Sequence, residues 1–441
     1  MWLNQVRRRG GARIVRAALC GTVLLVTAAC HGLLDVSDPT LVRDGDVANA
    51  AGANARRLNL VLQFAWYPGL ILDVAAFTDE RTVDYYDPTD PNYHSDLMSG
   101  LDRRDSTRLH DIAMTNNQDL HLTGLDLIFV ASSPALVAMR MYGDSAVKDE
   151  YLAQIFALRA FTLVQMAEDL CPGFPINDVS DDNRPLYSGP YSRDSTLKYA
   201  LAQLDSAFAH GHDSTDFINL ARVVKGRALL DLGRYAEAAT AVTDVPTDFT
   251  YTTDPAFGNQ FYWFDQGVGE REGGNGLPFV SANDPRVPTV FFKTRYSNDT
   301  DSLYDQTKYP TTDIPTVMAS GTEARLIEAE AALHEPNPTK AFDILNALRV
   351  TVGLTDLSAP TSLADQVDTL YKERAFWLYL TGRRLGDMRR LVLNYQRDPE
   401  TVFPTGPYPL GGVYGHLTAI PFTREIQGQL NPHITTGCSG D

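Results

Sequence analysis

Three consecutive pieces, FINLARVVKGRALLDL (217–232), GRY (233–235) and AEAATAV (236–242), decide how the rest of the chain is read. The first reads as a helix, the second as a tight turn opened by Gly233, and the third as the start of a second helix. Ala238 and Ala239 put small side chains where a helix crossing lets two backbones approach closely. A looser copy follows later: Glu323 to Leu333, a turn at Glu335-Pro336-Asn337-Pro338, and Lys340 to Val350. A third long helical stretch is expected from about Leu363 to Leu393.

Helix–turn–helix units of this kind look like tetratricopeptide pairs, so the expected fold class is all-α. Earlier in the chain the same period recurs. Leu58, Val61, Leu62 and Ala65 mark a helix between Asn49 and about Phe77, and residues 112–142 and 147–170 read as two more. Cys171-Pro172-Gly173 stops the last of these, and a further helix runs from about Asp194 to Ala209. Two stretches break the pattern. Residues 82–104 hold Asp87-Pro88 and Asp90-Pro91 and read as a surface loop. Residues 244–316 are rich in Gly, Pro, Asp and aromatics and read as a long irregular excursion, a feature that is more often functional than not. Residues 397–420 are a second Gly/Pro/Tyr-rich stretch.

The first 29 residues stand apart. Five arginines between Arg7 and Arg16 precede a short apolar run ending in Thr27-Ala28-Ala29-Cys30, the pattern of a secretory signal too short to span a bilayer. Small residues followed at once by cysteine resemble a bacterial lipoprotein signal, in which Cys30 becomes the first mature residue and carries the lipid. The alternative is an ordinary signal cut near Ala29, with Cys30 a plain thiol. His31 in place of aspartate favours the outer membrane over the inner. Residues 30–48 then form a lipidated tether, and 49–441 a single ligand-binding domain. Removing 1–29 takes five basic residues and no acids from a chain of 38 and 55, leaving 33 against 55, or −22. A surface this acidic excludes nucleic-acid binding by bulk electrostatics. Cys171 and Cys438 remain as an even pair; in an oxidising compartment they invite a disulfide, with two buried free thiols as the alternative.

The C-terminal third carries a family resemblance. Glu323-Ala324-Arg325-Leu326-Ile327-Glu328-Ala329-Glu330-Ala331, Leu345-Asn346-Ala347-Leu348-Arg349 with Gly353-Leu354, Glu373-Arg374 with Gly382-Arg383-Arg384, Asp387 and Arg390, and Ile420-Pro421 with Asn431-Pro432 together resemble the SusD/RagB outer-membrane nutrient-uptake proteins. Thr78-Asp79-Glu80 and Leu158-Arg159-Ala160 are weaker echoes, and Ser320 departs from the arginine often found before the first helix. The resemblance implies a surface lipoprotein that binds oligosaccharide or peptide and works with a SusC-like TonB-dependent β-barrel, with no cofactor and no catalysis.

Read from the residues alone, the charged helix around Lys372 to Arg390 is structural: Glu323, Glu373, Arg374, Arg383 and Asp387 are expected to pair and lock helices together. Glu373 is assigned to an arginine one or more turns on or to the Glu323 helix. The best binding candidates are aromatics in the irregular stretches, Tyr85, Tyr86, Tyr93, Tyr262, Trp263 and Tyr296, because sugar C–H faces stack on flat rings; burial in loop cores is the competing reading. No H-E-x-x-H, Cys-x-x-Cys, P-loop or G-x-S-x-G occurs, so metal and nucleophile chemistry have no motif. A glycan-processing enzyme using two carboxylates, and a protein scaffold built on the helix pairs, are the competing functions.

Overall fold

The computed structural model describes residues 48–80, 104, 118–180, 184–211, 214–253, 266–268, 275–294, 302–311, 313–335, 339–408 and 412–422. Residues 1–48 and 49–441 separate into two units, and apart from Ala48 all the described residues belong to the second. The signal, Cys30 and the tether up to residue 47 lie outside the described residues.

Helices dominate. In chain order they are α1 (Ala50–Gln63), α2 (Tyr67–Phe77), α3 (Gln118–Tyr142), α4 (Lys148–Asp169), α5 (Arg193–His210), α6 (Thr215–Asp231), α7 (Tyr235–Val242), α8 (Gly321–Ala332), α9 (Thr339–Val350), α10 (Leu363–Trp377), α11 (Arg384–Leu393) and the short α12 (Pro399–Val402). Several begin where a side chain satisfies an orphan backbone N–H: Asn49 accepts from Gly52, Ser192 and Ser195 form a capping box, and Ser320 accepts from Glu323. Ser320, the departure from the family pattern, is therefore the N-cap of α8.

The core centres on α4. From Leu152 to Asp169 every residue is buried, which requires neighbours on all sides; α3, α5 and α6 supply them. The α6–α7 pair closes tightly at Gly226, where an added Cβ would lie 2.6 Å from Val242. Ala238 faces the same crossing and is buried, but the residue that permits the approach is the glycine. Gly233, at φ +70°, makes the turn between the two helices.

Three expectations need correction. The stretch Leu363–Leu393 is two helices, because Leu380 at φ +50° and Gly382 at φ +75° turn the backbone out of the helix between them. The 244–316 excursion holds strands, so it is not wholly irregular. β3 (Thr250–Thr252) pairs antiparallel with β7 (Val317–Ser320), just beyond the excursion's end. β4 (Gln266–Val268), β6 (Ser302–Gln306) and β5 (Thr289–Thr294) form a three-stranded antiparallel sheet in that spatial order. These runs are short and rich in Thr, Val, Phe and Tyr, which suits a pleated edge better than a helix. A further small pair, Asp178–Val179 with Pro185–Leu186, completes the described strands. Finally, Arg104 is not on the surface: it is 0% exposed.

Candidate functional site

The base of the site is α11 and the segment before it. Gly382-Arg383-Arg384-Leu385-Gly386-Asp387-Met388-Arg389-Arg390 places four arginines and an aspartate in the interior, all buried. Burying so many charges is tolerable only if each is paired. Arg374 grips Asp387 with two bonds of 2.9 and 2.8 Å. Arg390 reaches Glu330 at 2.9 and 3.0 Å, Asp387 at 2.7 Å and Asp231 at 3.2 Å. Arg383 donates to Glu323 at 3.0 Å, to the Tyr67 hydroxyl at 2.9 Å and to the Met318 carbonyl. Arg227 on α6 joins Glu168 of α4 and lies 3.5 Å from Glu323. The planar guanidinium suits such forked contacts. Two glycines make room: a Cβ on Gly386 would meet the Glu168 side chain at 2.9 Å, and one on Gly382 the Tyr67 hydroxyl at 3.0 Å. Asp387 sits below the ordinary carboxylate range; burial pushes it up, but the charges of Arg374 and Arg390 beside it prevail.

The charged residues singled out from sequence thus divide in two. Glu323, Arg374, Arg383 and Asp387 fall in the buried base, in two clusters: Glu323 and Arg383 with Arg227, and Arg374 and Asp387 with Arg390. Glu373 stands outside it and binds neither an arginine of its own helix nor α8: its carboxylate takes Arg286 at 2.6 Å and Arg349 of α9 at 2.6 Å. Arg286 lies in the excursion, where sequence spacing could not assign it a partner.

Of the stretches carrying the six candidate aromatics, the first leaves from residues fixed at the N-terminal end of α11, and the other two lead, past β4 and past β6, to residues held at the same place. Residues 81–103 begin after Glu80. Its carboxylate accepts from the Leu380 backbone N–H at 3.0 Å, and its neighbour Asp79 takes a bidentate grip from Arg384 at 2.7 and 2.8 Å. Asp79 also accepts from the Leu277 N–H at 2.9 Å, tying the second stretch, up to residue 274, to the same place. Arg104 closes the first stretch by donating to the carbonyls of Leu417 at 2.8 Å and Pro404 at 2.7 Å, with its guanidinium over the Phe403 ring at 4.7 Å. The third stretch, 295–301, lies between β5 and β6. Just past β6, Lys308 donates to the Tyr379 carbonyl and the Tyr309 hydroxyl to that of Leu380 at 3.2 Å. Burial pushes the Glu80 carboxyl up to about 8 and pulls the Lys308 ammonium down to about 8, so both sit near a charge change at this root.

Tyr85, Tyr86, Tyr93, Tyr262, Trp263 and Tyr296 themselves lie outside the described residues, as does Cys438; Cys171 is fully buried and disulfide-bonded. Sequence reading passed over two aromatics that are described. Phe291 and Tyr304 are cross-strand partners on β5 and β6, edge to face at 5.8 Å, and Phe291 is 58% exposed. The short run of β-branched and aromatic residues in TVFFKT was the signal that could have found them. Their neighbour Val290, on the opposite face, is 51% exposed, so both faces of this sheet meet solvent.

Neither the family models nor the curated proteins yield a match to this chain. Solved structures do. A surface glycan-binding protein A from Bacteroides uniformis superposes with TM-score 0.62 at 14% identity, covering 87% of this chain and 99% of that one. A SusD superfamily protein from Bacteroides vulgatus gives 0.59 at 14%, with 88% and 98% covered. A laminarin-binding SusD-like protein gives 0.59 at 14%, with 88% and 99% covered. At this identity the likeness establishes the fold.

Proposed function

Because this chain has the SusD fold, we propose that it captures oligosaccharide at the outer face of an outer membrane and delivers it to a SusC-like TonB-dependent barrel. The observation that carries the reading is the shared root: each of three aromatic-bearing stretches adjoins or leads to residues held at one end of α11, on a base of paired charges. Aromatic residues of these stretches would offer stacking faces for sugar rings, with their Asp, Asn and Arg side chains for the hydroxyls. Phe291 and Tyr304 extend the aromatic set on the described sheet. Two solved structures of this fold are named for glycan or laminarin binding, which supports the same ligand class. The protein performs no catalysis; the energy for import comes from the barrel. Cys30 carries the lipid, and Cys438 is the disulfide partner of Cys171.

Calorimetric titration of the mature protein against a panel of oligosaccharides tests the reading. Binding of at least one, weakened tenfold or more in Tyr262→Ala/Trp263→Ala, is expected. Binding of peptides in place of sugars would redirect the ligand class, and hydrolysis products in the cell would replace binding by catalysis. Intact mass of the mature N-terminus checks the lipid at Cys30. A two-dalton increase on reduction, with alkylation mapped to residues 171 and 438, checks the bridge.

A further inference from the structure

A cleft of about 860 Å³ opens at the C-terminal end of α11, away from the roots just described. Ten residues of helix separate the two places, about 15 Å along its axis. The first turn of α5, the turn between α6 and α7 and the last turn of α11 form its walls. One wall is aromatic. Tyr235 lies flat on His334, ring centres 3.5 Å apart and 11° from parallel, and His334 Nε2 is 3.0 Å from the Tyr395 hydroxyl. The ring is thus held in place from behind.

Leu232 and Leu393 add apolar surface, and the charged lining is balanced: Arg193 and Arg389 against Asp194 and Asp231. Arg389 is already committed to the carbonyls of Ala167, Glu168 and Leu170, and Arg193 pairs with Asp231 at 2.9 Å. The cleft therefore presents no excess charge to a ligand, in a chain that is otherwise strongly acidic. Ser192, Asp194 and Asn394 also line the cleft and offer hydrogen-bond donors and acceptors. A flat ring on the wall, zero net charge and polar groups of both kinds match a neutral ring bearing hydroxyls.

We propose that this cleft is a second binding site, for a neutral sugar of one or two rings, separate from the aromatic stretches and independent of them. Its volume is within the range of small-molecule sites. Saturation-transfer NMR on the mature protein, with glucose, N-acetylglucosamine and cellobiose as probes, tests it. The Tyr262→Ala/Trp263→Ala background removes the other site. In that background at least one probe should give signal, and Tyr235→Ala should weaken it fivefold or more. Leu393→Arg, at an exposed rim position, should do the same by filling the mouth, and covers the case in which Tyr235→Ala fails to fold. Absence of signal for all three probes, or signal unchanged in Leu393→Arg, overturns the proposal. Failure of the main site would show differently, as oligosaccharide titrations insensitive to Tyr262 and Trp263.

Discussion

The base around α11 and the β4–β6–β5 sheet use opposite physics within one chain. At the base, Arg374, Arg383, Arg384 and Arg390 are nearly inaccessible and each meets a carboxylate. On the sheet, Val290 and Phe291 point to opposite faces and both are more than half exposed. The base draws its rigidity from charges that cannot be separated without leaving one stranded in the interior. Among the described residues the sheet has backbone pairing and the Phe291–Tyr304 aromatic pair, and Val290 and Phe291 leave both faces open to solvent there. Paired charge is concentrated at the base, and exposed apolar surface on the sheet.

Replacing one buried arginine should show the largest effect. Arg390→Met leaves Glu330, Asp231 and Asp387 short of a cation, and should cost about 3–5 kcal/mol in urea unfolding. A variant within 1 kcal/mol of the parent would mean that the network is not what holds the base.

A pH series probes the same interior at the α2–α3–α4 junction. His121 is fully buried between Asp169 at 2.9 Å and Asp73 at 3.3 Å. Burial favours the neutral ring, but the two carboxylates outweigh it and lift the imidazole to about 9. A folded-state value above the ordinary 6.5 means that its contribution is complete below pH 6.5 and lost as pH rises through 9. That contribution is on the order of 3 kcal/mol. Stability should therefore fall between pH 6.5 and 9 in the parent and fall less in His121→Gln; parallel curves would contradict the assignment.

On the sheet, Phe291→Ala should change the unfolding free energy by only about 0.5–1 kcal/mol, the worth of one cross-strand aromatic pair. A loss of several kcal/mol would show that the arm is part of the core after all. The smallest effect belongs to Arg234→Ala. Its pair with Glu237 is well exposed on both sides, and the denaturation midpoint should not move.

The same contrast explains what could be read in advance. Helix pairs announced themselves by apolar period, and the charged segment 372–390 by arginines and acids too numerous for a solvated face alone. Partners were harder. Glu373 is claimed by Arg286, 87 positions away in an excursion, and nothing local encodes that contact. Leu380 in the left-handed region opens the break between α10 and α11, which leucine, a helix former, does not announce; Gly382, also at positive φ, is the mark it leaves in the sequence. The Asp-Pro turn chemistry of 82–104 puts Arg104, at its end, on the surface; two carbonyls and a phenylalanine ring bury it instead. Phe291 and Tyr304 were missed because a six-residue β-branched and aromatic run is easily lost in a Gly- and Pro-rich background.

Arg104 has a consequence for how such a protein can diversify. Its guanidinium fastens the chain to Leu417 and Pro404, while Glu80 is fastened at Leu380. The two ends flanking residues 81–103 are therefore clamped into the interior by contacts that do not involve the residues between them. On the proposed function, recognition can change there like a tool bit in a fixed chuck.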